Sequence, residues 1–375
     1  MKALRGARVL TPTGDTMEAT VVFDRVIRQV IPGSPDVPGA ETIPGDGLLL
    51  TPGMVDLHIH GIAGFDGCDG TPEALMAMSE ALARHGITSF LPTTMTLPRE
   101  QIRLILASVG RAMESPQPGA RILGAHLEGP FISPERPGAQ DPKFIAAPDP
   151  DLLEEFRPVI KVVTFAPERD PDHRGLNHML RLGMIPSAGH SNASYREASE
   201  AFGLGVRSVT HLFNAMSPFQ HREPGLVGAA LDHRVHCEII LDGIHCHPAA
   251  VRLALKALGE DRLVPVSDSM RAADLGEGVF SLGGQRVTVS QRVARLDNGA
   301  IAGSVITLED AVRNLRDFTG LPLERCILMA SRNPSELLQD RSMGAIEPLR
   351  RADMVLWDRD RPVRTYVEGR EVFSS

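Results

Sequence analysis

The sequence predicts an α/β chain: a parallel (β/α)8 TIM barrel carrying a small β-sandwich domain formed by both termini. Three observations point there. Eight short apolar segments alternate with amphipathic stretches through the centre, the rhythm of a parallel sheet wrapped by helices. Both ends alternate apolar and polar residues between Gly, Pro and Asp breaks, as β-hairpins do. Side chains able to hold a cation recur where the central strands end, the place where barrels carry their chemistry.

Residues 1–50 contain "ARVLTPTGD", "ATVVFDRVIRQVIPG" and "ETIPGDGLLL", each bounded by turn residues. Residues 346–375 contain "ADMVLWDRD" and "VRTYVEGREVF", two strands with a turn between them. These end segments are expected to form one domain, with residues 51–345 as the barrel. The eight barrel strands are read as MVDLHIH (54–60), SFLPTT (89–94), ILGAHLEG (122–129), VVTFAPE (162–168), PSAGHS (186–191), SVTHLFN (208–214), HCEIILDG (236–243) and LVPVSDS (263–269). Helices fit between them. In 71–85, Thr71 caps, Pro72 takes the first turn and Gly86 ends the helix. Others are read at 100–113, 173–182, 194–202 and 248–258. The Gly-Gly and Asn-Gly turns of 276–302 mark an inserted hairpin, after which helices return at 307–319 and 324–338. An open doubly wound sheet is the alternative, but no G-x-G-x-x-G follows a strand.

Charged residues make up 23% of the chain and the net charge is −8, without blocks of one sign, which argues against a nucleic-acid or membrane-surface protein. An anionic ligand therefore needs local cations. The four cysteines are scattered, with no C-x-x-C pair, as reduced cytoplasmic thiols would be. A signal peptide and a span-length apolar run are both missing, so the expected location is the cytoplasm.

In "MVDLHIHG", His58 and His60 lie two apart on a strand, so both imidazoles face one side. Alone, such a pair is more often satisfied by hydrogen bonds than by metal. The other strand ends change the balance: Glu128 closes the third strand, His190 the fifth, His211 the sixth and Asp268 the eighth. Burying these groups unpaired would be costly, so a shared cation site is the economical reading. Histidine and carboxylate ligands suit one or two divalent ions, Zn²⁺ foremost, with Fe²⁺ or Mn²⁺ as alternatives. Hydrolysis follows, with Asp268 as proton carrier, since no G-x-S-x-G elbow or P-loop competes. The competing reading of Asp268 is a turn or capping residue. His126 is either a partner of Glu128 or a core histidine bonded to backbone, and "GIHCHP" is weak evidence for a second soft-metal site.

The stretches "PGMVDLHIHG", "GAHLEGPFISP", "PSAGHSNAS", "VTHLFNAMSPF", "REPGLVGAAL", "LDGIH", "PVSDSM" and "AGSVITLEDAVRNL" occur in this order over nearly the whole chain. Together they resemble the N-acetylglucosamine-6-phosphate deacetylase family of the amidohydrolase superfamily. The resemblance implies a barrel flanked by a β-sandwich, Glu128, His190 and His211 as principal metal ligands, Asp268 as catalytic acid-base, and His58 and His60 as ligands of a second position. It implies an amino-sugar phosphate as substrate, met by Ala139 and Gln140, by Asn214 and Ala215, and by Ile301, Ala302 and Gly303. It also implies a homodimer, in which Arg222 and His245 reach the phosphate from the neighbouring subunit; the alternative for Arg222 is an ion pair with Glu223 or Asp232. Many relatives carry histidine where this chain has Gln140, which neither ionises nor exchanges protons near neutral pH. Rival functions are deacetylation of the galactosamine epimer, another amidase of the superfamily, and noncatalytic phosphosugar binding. A dihydroorotase-like enzyme would want a lysine at the carboxyl end of the fourth strand, whereas Lys161 sits at its other end.

Overall fold

The computed structural model describes residues 1–375. Five strands open the chain: β1 (Lys2–Leu10), β2 (Thr16–Phe23), β3 (Ile27–Pro32), β4 (Glu41–Pro44) and β5 (Leu49–Pro52). The barrel follows, with β6 (Met54–Ile59), a hairpin of β7 (Gly61–Ile62) and β8 (Phe65–Asp66), then β9 (Ile87–Pro92), β10 (Arg121–Ile122) and β11 (Ala125–Glu128). It continues through β12 (Ile160–Phe165), β13 (Ile185–Ala188), β14 (Ser208–Val209), β15 (His236–Ile240) and β16 (Leu263–Val266). An antiparallel insert of β17 (Gly278–Leu282), β18 (Gln285–Ser290) and β19 (Val293–Leu296) comes next, and β20 (Met354–Asp358), β21 (Arg361–Val367) and β22 (Arg370–Ser374) end the chain.

The terminal strands join in one sheet of order β22-β21-β20-β5-β1-β2-β3, with β4 pairing β1 off that path. Its period-2 pattern feeds two cores. Leu50, Met354 and Leu356 pack with Leu4, Val21, Phe23 and Tyr366. Their neighbours Leu49, Val355 and Trp357 join the cluster that runs beneath the barrel helices.

The barrel strands run parallel in the order β10-β9-β6 and β11 to β16. A bridge between Thr93 and His126 joins the two arcs. The other seam closes at the carboxyl ends, where Asp268 N–H donates to His58 O at 2.8 Å and His60 N–H to Ser269 O at 2.9 Å. Inside, Val55, Leu57, Leu91, Val162, Ile185, Ile240, Val264 and Val266 pack against Leu337 and Met343, which plug the amino end. Nearer the carboxyl ends lies a chain of buried hydroxyls, Ser187 to Thr210 and Thr210 to Thr164, each 2.8 Å.

Helix starts follow their caps: Thr71 accepts from Ala74 N–H before Pro72–Ala83, which stops two residues short of the expected His85, and Pro248–Leu258 has the expected bounds. The strands are shorter than expected. β13, β14 and β16 stop before His190, His211 and Asp268, because these residues turn into left-handed backbone, with φ of 46°, 33° and 44°. The single helix expected over 324–338 is two, Leu323–Met329 and Arg332–Leu337. Ala330 O is drawn out of the helix to accept the Val55 N–H at 2.8 Å. The expected hairpin at 276–302 has a third strand, and Gly225–His233 adds a helix to those anticipated.

Candidate metal and substrate site

The strand ends meet around Glu128, which is buried on β11. Its Oε1 lies 3.1 Å from His190 Nε2 and 3.0 Å from His211 Nε2, and the two nitrogens are 3.0 Å apart. His190 Nδ1 donates to Arg136 O at 3.0 Å, leaving the Nε2 lone pair directed at the group. Three ligand atoms at these separations could hold a cation between them. Ligand atoms about 2.0–2.1 Å from a tetrahedral ion would stand about 3.3 Å apart, so the triangle suits Zn²⁺ with small adjustments.

A second set adjoins it. His60 Nε2 lies 3.3 Å from Glu128 Oε2 and 3.2 Å from Asp268 Oδ1, and His58 Nε2 stands 3.5 Å from each carboxylate. His58 Nε2 is buried without a hydrogen-bond partner. His58, His60 and Asp268 thus offer three converging ligand atoms, as do Glu128, His190 and His211.

Charge is concentrated here. Burial opposes a proton on His58 and His60, but the Glu128 and Asp268 carboxylates outweigh it, holding His58 well above the usual imidazole range and His60 up to about 9. Burial would raise the two carboxyls in turn, yet His58 and the other imidazoles hold both below their ordinary values. Beneath them, burial pushes Asp56 up to about 7 and His126 down to about 4. The neutral His126 is bonded at both nitrogens, to Leu57 O at 3.0 Å and Thr164 Oγ1 at 2.7 Å, which is the core-histidine arrangement.

Left-handed backbone at His190, His211, Ala215 and Asp268 costs about 1–3 kcal/mol each and persists only where surroundings over-determine it. Asp268 is held from both sides, by its N–H on His58 O and by Ser304 N–H on its own carbonyl at 2.7 Å.

A cavity of about 230 Å³ opens over the group. Its lining includes Ala139, Gln140, Asn214, Ala215, His245, Ile301 and Gly303 among the anticipated substrate residues; Ala302 is buried beside them and does not line it. His58 lies below the lining. His245 lines this chain's own cavity; Asp242 Oδ2, 2.7 Å from its Nδ1, outweighs burial and raises its pKa. Arg222 is exposed and outside the lining, while Glu223 and Asp232 bond to Tyr195 instead. Gln140 is already engaged: its Oε1 accepts from Thr96 N–H at 2.6 Å and its Nε2 donates to Glu128 Oε2 at 2.8 Å.

Sequence reasoning missed Met95, Gly138, Ile240, Leu282 and Ala300 in the lining, and Glu238 below it. Gly138 has φ +58°, and a Cβ there would stand 3.0 Å from His190 Cε1, so the close approach requires glycine. The available signal for Glu238 was a lone carboxylate inside the apolar run "CEII".

A β/α barrel with histidine and carboxylate groups converging at its strand ends defines the amidohydrolase class, and residues 49–372 match the Amidohydrolase family. N-acetylglucosamine-6-phosphate deacetylase of Bacillus subtilis (strain 168) is 41% identical over 327 residues, 84% of this chain and 82% of its own. N-acetylgalactosamine-6-phosphate deacetylase of Escherichia coli O157:H7 is 35% identical over 363 residues, 95% of this chain and 94% of its own. The crystal structure of N-acetylglucosamine-6-phosphate deacetylase from Thermotoga maritima superposes with a TM-score of 0.90 at 34% identity, covering all of both chains. Within the amidohydrolases, the chain belongs to the N-acetylglucosamine-6-phosphate deacetylase family.

Proposed function

We propose that this chain hydrolyses the acetamide of N-acetyl-D-glucosamine 6-phosphate, giving D-glucosamine 6-phosphate and acetate. The carrying observation is the convergence of Glu128, His190 and His211 on one point at the cavity floor, with Asp268 beside it. Glu128, His190 and His211 would hold the principal divalent ion, and His58 and His60 a second. Zn²⁺ is favoured by the donor set, with Fe²⁺ or Mn²⁺ as alternatives. Bound there, such an ion supplies Lewis acidity toward the acetamide carbonyl and toward water.

The remaining work belongs to the chain. Asp268 takes the proton of the attacking water and returns it to the leaving amine, so the carboxylate ends the cycle as it began. Met95, Leu282, Ala300 and Ile301 form an apolar wall against which a seated substrate would displace water, strengthening the electrostatics at the reacting carbon. Asn214 and Ala215 would meet the sugar phosphate with His245 from the same chain, and the exposed Arg222 would reach it from the neighbour in a homodimer. Arginine suits that role because its planar fork binds phosphate bidentately. The Escherichia coli relative makes the galactosamine epimer the alternative substrate. We read the protein as cytoplasmic: no helix is long and apolar enough to cross a membrane, and its four cysteines are free thiols.

The test is Asp268→Asn with metal content and circular dichroism measured alongside acetate release from both N-acetylhexosamine 6-phosphates. A folded, metal-replete variant is expected to lose at least 10²-fold in kcat. Near-wild-type turnover would overturn the assignment, and a preference for the galactosamine epimer would replace the substrate.

A further inference from the structure

Glu238 lies on β15, fully buried, with Oε2 3.0 Å from His58 Nδ1 across the barrel. The two residues are 180 positions apart in sequence. No step assigned above uses this carboxylate, and a buried acid is retained at a cost unless it is paired.

We propose that Glu238 is a positioning residue that fixes the His58 tautomer and thereby makes the second ion position. Glu238 Oε2 stands at accepting distance from His58 Nδ1, which places the ring's proton on that nitrogen. That leaves Nε2, buried and unpartnered, as the nitrogen presented to Glu128 and Asp268. A carboxylate behind a histidine in this way also fixes the ring's rotation and raises its basicity toward a cation.

His58, His126 and Glu238 also lie within ligand distance of one another, but they do not form a metal site of their own. His126 Nδ1 donates to Leu57 O, and its Nε2 takes the Thr164 hydroxyl, so no lone pair is left for a cation. Glu238 therefore orients rather than ligates.

The inference rests on reading His58 and His60 as ligands of a second ion, and the experiment separates the two. Purified full-length protein, Glu238→Gln, Glu238→Ala and His58→Ala are stripped of metal and equilibrated across a series of free Zn²⁺ concentrations. Bound ions per chain are counted by mass spectrometry, with folding checked by circular dichroism. Nitrogen-15 histidine spectra of the zinc-saturated proteins report which His58 nitrogen carries the proton. Wild type is expected to bind two ions and His58→Ala one. Glu238→Ala should retain the first ion and bind the second roughly 10–100-fold more weakly. The nearly isosteric Glu238→Gln, whose amide oxygen can still accept from Nδ1, should fall between them and covers the case in which Glu238→Ala does not fold. Two ions bound with wild-type affinity by Glu238→Gln and by any folded Glu238→Ala, with an unchanged tautomer, would overturn the proposal. One ion in both wild type and His58→Ala would instead overturn the reading of His58.

Discussion

His85 offers a stability prediction remote from the cation group. It follows the helix Pro72–Ala83, with Nδ1 2.9 Å from Glu309 Oε2 and Nε2 2.7 Å from Asp274 Oδ2. Both ring nitrogens face carboxylates, so both must carry protons. Burial disfavours that charge, but Asp274 and Glu309 outweigh it and raise the pKa from 6.5 to about 9. The side chain is 18% exposed, so solvent screens the pair only partly. At about 1.4 kcal/mol per pH unit, and with Glu309 shared by Arg313, the imidazolium contributes ~2–3 kcal/mol to folding. Because the folded pKa is raised, this stability is fully present below about pH 6.5 and disappears as pH rises through about 9. Urea unfolding of wild type and His85→Gln, followed by circular dichroism from about pH 6 to about pH 10, measures it; subtraction cancels the titrations they share. The difference should shrink by ~2–3 kcal/mol across that range. A difference constant within ~0.5 kcal/mol would refute the reasoning.

Two further substitutions probe the site's support. Gly138→Ala places a methyl against His190 in left-handed backbone; the fold should survive a cost of about 1–2 kcal/mol, while the displaced imidazole lowers kcat/KM for deacetylation roughly 10²-fold. Unchanged kinetics would show that His190 tolerates displacement. Thr164→Val removes the hydroxyl that serves both His126 and Thr210, and should cost ~1–3 kcal/mol in urea unfolding. A loss below ~0.5 kcal/mol would mean that the hydroxyl chain is dispensable.

The barrel was legible because its strands are punctuated by turn residues and its polar groups fall at strand ends. His58, His60, Glu128, His190, His211 and Asp268 do meet, although sequence alone provided only their order. Strand lengths were illegible at those same residues: tertiary contacts hold His190, His211 and Asp268 at φ > 0, uncommon even for His and Asp and unmarked by the apolar pattern of the strands. The break near Ala330 depends on Val55 N–H, 275 positions earlier, and periodicity over 324–338 carries no trace of it. Glu238 escaped notice for a related reason. A carboxylate in an apolar strand announces burial, but its partner, His58, appears only once the barrel closes. Gln140 reads as a departure from a family pattern; its bonds to Thr96 and Glu128 are a property of the folded loop.

The order β20-β5-β1 in the terminal sheet has a consequence for synthesis. β5, an uncharged "LLTP", leaves the ribosome near residue 52, and the strand that covers its edge begins at Met354. Some 300 residues separate them, which is roughly 15–60 s at ~5–20 residues per second. The native edges are better guarded: β3 carries Arg28 and Gln29, and β22 carries Arg370 and Glu371. A nascent chain therefore holds an apolar strand edge open for most of its translation. Chains released before Met354 should aggregate through it, as centrifugation of truncated translation products would reveal; soluble truncations would show that β5 is sheltered by the barrel alone.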